Sequence, residues 1–465
     1  MKQSILLSGL CAALLCGCAD VRVTEYKRPE APAKASWSRP SEADLSPSGT
    51  ISAQWWTEFR DPYLDSLVAK AIAGNFDLQA LAARIDVANL QIAEARAGGQ
   101  PSVDIGAGAN LEKSTGQRFS KQFSLGSQVN WDLDVWGKVS KGVQAQTAEF
   151  KATEADWRAG YLTLVASVST TYFQILQLDE QIEQQQLALA KNQQILGIFE
   201  TMRNNGLAPA TQVQRQRAET ARLTKELLEL RRFRSVSENA LATLLGQPAG
   251  DLKVPVGRLQ GRVQIPGVPT GLPSQLLARR PDVVAAEFRV LVAHDLMGQA
   301  KLAQLPSISL TGRGGSASFA LGDLLKSFTF GLAPSINIPA LNPAIKARAK
   351  TSEAEVKVAE QEYRRTVVAA FEDAENALVN LDAHRHQREQ LQLQVNELQQ
   401  VAAGSATQLA NGLISQLEVF ENERSLLAAQ QALLASHQQV LADTVTLYKA
   451  LGGGWAPVEV ANVRD

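Results

Sequence analysis

The residues able to do chemistry are few, and their spacing argues against catalysis. His294, His384, His386 and His437 are the four histidines. A metal centre needs imidazoles, thiolates or carboxylates at spacings that bring their donor atoms together. His384 and His386 lie two apart, which on a helix turns them to different sides. The run TGRGG at 311–315 lacks the lysine and hydroxyl residue of a phosphate-cradling loop. No cofactor and no metal are expected, and the chain reads as a non-enzyme. The three cysteines, Cys11, Cys16 and Cys18, crowd the extreme N-terminus, so no internal disulfide is expected of the mature chain.

What remains for a thiol there is acylation. Lys2 starts a short basic region and Ile5 to Leu15 form an apolar stretch too short to span a bilayer. LCGC then ends at Cys18, as a bacterial lipobox does, so Cys18 is the expected lipidation site, residues 1–17 being the signal peptide. Ordinary secretory cleavage is the alternative. By resemblance to other lipoproteins, Ala19 after the cysteine favours delivery to the outer membrane. Residues 18–48, polar and proline-bearing, read as a tether from lipid to body.

Elements must then account for the remaining chain of 465 residues. With 46 basic and 47 acidic residues the net charge is −1, which suggests no nucleic-acid partner. The chain also repeats itself. QPSVDIGAG from Gln100 returns as LPSISLTGR from Leu305, Phe123 and Gly126 fall on Phe328 and Gly331, and NNGLA at 204–208 falls on ANGLI at 410–414. Two repeats follow, 49–245 and 273–451, joined by a Pro/Gly-rich linker at 246–272 and closed by a tail at 452–465.

Each repeat holds two alternating strands, expected at 102–114 and 119–135, then 306–316 and 327–338. Val103, Ile105, Ala107, Ala109 and Leu111 share a face, as do Phe123, Leu125, Val129, Trp131, Leu133 and Val135. Ile308 and Leu310, then Phe328, Phe330, Leu332, Ile336 and Ile338, continue the pattern. Each strand has room for the roughly 9–11 residues of a bilayer crossing. Four strands cannot close a barrel, which takes about eight, but three chains would close one at about twelve. A homotrimer in contact with outer-membrane lipid is expected.

Long helices fill the proline-free tracts, at 138–203 and 343–410, each with a return helix, at 208–245 and 413–451. Apolar residues recur every seven positions, as in Tyr161, Val168, Ile175, Ile182, Leu189 and Leu196, and in Leu413, Phe420, Leu427, Leu434, Leu441 and Tyr448. That period implies coiled-coil-like packing, over roughly 100 Å at 1.5 Å per residue. The glutamine-rich runs EQIEQQQ and QVNELQQ suit a wetted face. The fold class is mainly α with a membrane β-barrel: helical hairpins forming an α-barrel, and four strands per protomer giving a 12-stranded trimeric barrel.

Four blocks carry a family resemblance: WDLDVWGKV at 131–139, LPSQLLARRPDVVAAE at 272–287, AQLPSISLTG at 303–312 and LYKALGGGW at 447–455. The chain resembles the outer-membrane factors, the TolC-type exit ducts of tripartite efflux systems, in their lipoprotein branch. The resemblance implies passive conduction, a belt around the waist built from residues near 50–60, the central linker and the C-terminus, and two partners. These are a periplasmic adaptor (membrane fusion) protein and an inner-membrane pump of the resistance-nodulation-division type. It maps a periplasmic gate onto Leu417, Glu418 and Glu421, and adaptor docking onto tip residues Gly206, Leu207, Ala208, Gly412, Leu413 and Ile414. Gln212, Leu409 and Ile414 stand where some members carry a charged latch, so that latch is absent. A type I protein-secretion duct and a lipid-anchored structural coiled coil are the alternatives.

Overall fold

In the computed structural model, residues 24–38, 51–113, 119–268, 273–339 and 342–455 are described. Cys18 and the end of the tail lie outside them. A short 3-10 turn, Trp55–Phe59, precedes helices α1 (Pro62–Gly74) and α2 (Phe76–Ala97). Strands β1 (Ser102–Glu112) and β2 (Ser120–Leu133), the 67-residue helix α3 (Lys138–Asn204) and its return α4 (Ala210–Leu244) complete the first repeat. The second runs α5 (Pro273–Arg279), α6 (Pro281–Leu302), β3 (Ser307–Ser318), β4 (Thr329–Asn337), the 68-residue α7 (Pro343–Ala410) and α8 (Gln416–Ala450).

Local chemistry sets the helix starts. Asp61 caps α1 by accepting from the Tyr63 N–H at 2.9 Å, and Asn75 caps α2 by accepting from the Leu78 N–H at 2.9 Å. Asn342 accepts from the Ala344 and Ile345 N–H groups ahead of Pro343, which loses no needed donor at the first helical position. The acid of WDLDVWG serves α3: Asp134 accepts from Val139 N and Ser140 N, both at 2.9 Å. In the same block, Trp131 and Trp136 donate their indole N–H groups to the carbonyls of Gly99 and Pro306, at 3.0 and 2.7 Å. Strand and helix ends are thereby stapled together.

The strands form one antiparallel sheet in the order β1-β2-β3-β4. Val103 faces Val129, Trp131 faces Leu310, Ile308 faces Ile336 and Gly312 faces Leu332. Because side chains alternate, this register gathers the apolar residues onto one face, while Ser102, Asn130, Thr311 and Ala333 share the other. The apolar face is bare: Ile105, Phe330, Leu332 and Ile336 are all exposed. Among the described residues no helix is long and apolar enough to cross a membrane.

The dry core sits at mid-height. Trp55, Phe59, Leu64, Tyr172, Phe173, Val367 and Tyr448 belong to one cluster that also takes in Val254, Leu259, Val263 and Val268 of the linker. Burying each large side chain contributes roughly 1.5–3 kcal/mol. Trp55 stacks on Tyr448 with ring centroids 5.0 Å apart. Buried carboxylates pin the linker, which has no helix of its own until α5. Asp61 accepts from Arg262 Nε at 2.9 Å and from the Tyr172 hydroxyl at 2.7 Å, Glu180 from Gln260 N at 2.9 Å, Asp179 from Gly257 N at 3.1 Å and Glu238 from Val254 N at 2.9 Å.

Two sequence expectations are corrected by packing. Of EQIEQQQ, residues Glu180, Gln181 and Gln185 are buried. Gln185 donates to Leu223 O at 3.1 Å and accepts from Gln431 Nε2 at 3.0 Å, so this run is interhelical glue rather than a wetted face. QVNELQQ is mostly exposed, with Val395 buried. Leu413 does not join the heptad stripe of α8, since it lies in the turn before the Ser415 cap and is 73% exposed.

The segment at 24–38 lies against α6 and α7 rather than hanging free. Arg28 pairs with buried Glu287 at 2.6 Å, Arg364 Nε donates to Glu30 O at 2.9 Å, and Lys34 and Ser38 both bond Glu375.

Candidate functional site

Each long helix ends in an Asn-Gly pair that reverses the chain. At the first tip the Leu207 N–H reaches Met202 O at 2.8 Å and the Gly206 N–H reaches Arg203 O at 3.0 Å. At the second, Leu413 N reaches Gln408 O at 2.9 Å and Gly412 N reaches Leu409 O at 2.9 Å. Both are Schellman ends, and Gly206 and Gly412 each take φ of 70°, a conformation an L side chain resists. Leu207 and Leu413 are thereby pushed into solvent, at 72% and 73% exposure, while Ala208 and Ile414 are half-buried. The six residues expected at the tips thus form two matched knobs, each a flat glycine beside an exposed leucine.

The three expected gate residues lie in the first turns of α8. Ser415 accepts from the Glu418 N–H at 3.3 Å. Leu417, Glu418 and Glu421 are exposed, and Glu421 faces Arg424 at 3.2 Å. Within one chain they make no closed constriction. Their acidity sits at a helix N-terminus, where the peptide dipoles favour negative charge.

A second cluster, not anticipated from the sequence, lies just above. α8 is wedged between α3 and α7, and a cavity of about 320 Å³ opens there, lined among others by Lys191, Glu219, Arg222, Phe420, Glu423 and Arg424. Lys191 of the first hairpin pairs with Glu423 of the second. Arg222 bonds Glu219 at 2.5 Å and Glu226 at 2.6 Å, and its guanidinium holds the Glu219 carboxyl below the usual range. The charged residues Lys191 and Glu423 are 232 positions apart, so no local pattern in the sequence joins them. At Gln212, Leu409 and Ile414 no charge is present, and this is the ionic link between hairpins among the described residues near the tips. Partly exposed pairs of this kind contribute about 0–1 kcal/mol each, small enough to be broken and remade.

A family model described as outer membrane efflux protein matches residues 67–247 and 272–453. The pyoverdine export outer membrane protein OpmQ of Pseudomonas putida is 31% identical over 441 residues, covering 90% of this chain and 92% of that one. A probable efflux pump outer membrane protein, TtgC, from the same species is 32% identical, covering 98% and 96%. Among solved structures, the outer-membrane channel OprN superposes with a TM-score of 0.83 at 25% identity, over 94% of this chain and 99% of that one.

Proposed function

The chain belongs to the outer membrane efflux protein family, and we propose that three copies of it, each lending four strands and two hairpins, enclose one water-filled duct. It is an outer-membrane protein and the outer-membrane component of a tripartite efflux pump, working with a periplasmic adaptor and an inner-membrane pump. The observation that carries the duct is the joining of a one-sided four-stranded sheet to helices roughly 100 Å long. The apolar sheet face meets lipid, and the unpaired edges of β1 and β4 are closed by neighbouring copies, because an open edge in hydrocarbon leaves peptide groups unsatisfied.

Conduction is passive and involves no catalytic step, the energy coming from the pump. Cys18 carries the lipid that holds the N-terminus at the membrane. The knobs at Gly206, Leu207 and Ala208 and at Gly412, Leu413 and Ile414 receive the adaptor end-on. Leu417, Glu418 and Glu421 ring the narrow periplasmic end, where three copies of each carboxylate attract cations. The cargo is a small molecule, a reading supported by the relative named for pyoverdine export.

Single-channel recording in planar bilayers tests the gate. Leu417→Ala is expected to raise the open conductance or open probability, and Glu418→Gln with Glu421→Gln to reduce cation preference. Unchanged records for both variants would remove these residues from the gate.

A further inference from the structure

The polar face of the sheet carries acids, amides and hydroxyls but one base. Among the described strand residues it presents Asp104, Glu112 and Asp132, and against these carboxylates a single cation, Arg313. The other basic strand residue, Lys121, stands opposite Leu111 in the register and so lies on the apolar face.

Arg313 is exposed, and its guanidinium makes no ion pair or hydrogen bond among the described residues. Arginines elsewhere in the fold meet carboxylates, as Arg262 meets Asp61 and Arg280 meets Asp282 and Asp373. Around Arg313 the polar side chains bond one another instead: Gln128 donates to Asn130 Oδ1 at 2.8 Å, and the Thr311 hydroxyl reaches the same oxygen at 3.4 Å. Asp104 shares its cross-strand row but lies two strands away, about 10 Å off and out of reach of an ion pair. Asp132 is four residues along the strand from the row, about 13 Å. Because salt screens exposed charges over roughly 8 Å, the positive charge governs the space beside the guanidinium.

The wall around this charge is kept low. Asp104, Gln128, Arg313 and Gly331 form one row, and Gly106, Gly126 and Gly315 form the next, one step farther from the helices. Glycine weakens a strand interior and marks places where a ligand or another backbone comes close. Nothing in the chain requires it at Gly106 or Gly331, where an added Cβ would meet no atom within 4 Å. The two rows line an open hollow of about 790 Å³.

We infer that Arg313 sets a charge preference inside the barrel: three copies make a ring of guanidinium groups that favours cargo bearing a carboxylate or phosphate over cargo bearing only a cation. This rests on the trimeric duct proposed above, which makes the polar face its lining. A guanidinium presents a planar fork of donors that meets a carboxylate or phosphate with two parallel hydrogen bonds. An arginine already committed to a fixed carboxylate has no fork to offer. The glycine rows leave the cargo room to pass within reach of the one that does.

Thiol labelling at Gly331, the register partner of Arg313, tests this on the full-length trimer in detergent. In Gly331→Cys the rate with an anionic methanethiosulfonate, divided by the rate with a cationic one of matched size, reads the local charge. The parent chain, with its own cysteines only, sets the background. Adding Arg313→Gln is expected to lower the ratio about threefold, and Arg313→Lys, which keeps the charge, to leave it near its starting value. With Arg313 intact, raising salt from about 0.05 M to about 0.5 M should carry the ratio in the same direction by screening. Citrate should slow labelling by an uncharged reagent more than chloride does at equal ionic strength, and Arg313→Gln should abolish that protection. A ratio moved by neither the glutamine variant nor salt overturns the role of Arg313, and the salt series decides the matter if that variant does not trimerise. Absence of citrate protection overturns the preference for carboxylates. If Gly331→Cys resists every reagent in the folded trimer yet labels after denaturation, the polar face lines no water-filled duct, and the reading beneath the proposal fails instead.

Discussion

At the scale of single residues, burial rather than motif decides behaviour. His437 lies half-buried on α8, and its Nε2 finds no hydrogen-bond partner among the described residues. Burial, with help from nearby Arg388, brings its pKa down from 6.5 to about 4. Between these values the unfolded chain binds a proton that the folded chain refuses, so stability rises with pH through this window and is lost as pH falls. His437→Gln is expected to flatten the decline in denaturation midpoint between pH 6.5 and pH 4.5, measured on the trimer in detergent. An unchanged slope would place the responsible group elsewhere. Asp61 illustrates the same rule: nothing marks it in the sequence, yet it joins α1, α3 and the linker.

At the scale of elements, four helix ends use the same device in two environments. The two return helices close with Schellman turns like those of the tips, at Gly246 with φ 70° and Gly452 with φ 87°. Around the tip glycines a Cβ would meet open space, but at Gly246 it would lie 2.0 Å from Gly74 O and at Gly452 2.7 Å from Arg279 O. Here the end of each return helix abuts the start of the repeat's second helix, with Asn75 Nδ2 donating to Leu244 O at 3.0 Å and Arg280 to Ala450 O at 3.3 Å. Gly412→Ala is therefore expected to cost about 1–2 kcal/mol, the left-handed penalty alone. Gly246→Ala adds a clash with backbone that cannot swing aside. Denaturation of the purified variants should show Gly246→Ala losing markedly more stability than Gly412→Ala.

At the scale of the whole molecule, the sheet must satisfy two solvents at once. Leu332 is exposed on the apolar face, while Asn130 sits on the opposite face of the same sheet. An arginine facing lipid at mid-depth costs about 2–4 kcal/mol, and one facing water costs little. Leu332→Arg should reduce the yield of heat-resistant trimer in outer membranes, and Asn130→Arg should leave it near the unmodified level. Equal losses would contradict the assignment of faces. The strap at 24–38 belongs to this scale also, since it crosses from α6 to α7 and ties the N-terminus to the second repeat.

Whatever depends on period and local turn chemistry was legible in the sequence: the alternation of the strands, the proline-free helices, the Asn-Gly reversals and the duplication itself. The first three are set by residues within a few positions of one another, and the duplication by likeness between two stretches of the chain, so the chain states them directly. The buried glutamines of EQIEQQQ, the exposure of Leu413, the Lys191–Glu423 pair and the knot at Asp61 were decided only in three dimensions. Each depends on which helix lies alongside, and that follows from long-range packing between repeats. The bareness of α2 is the clearest case: near-equal repeats bury a helix in one half and bare it in the other, because α6 lies between both long helices and α2, among the described residues, lies against α3 alone.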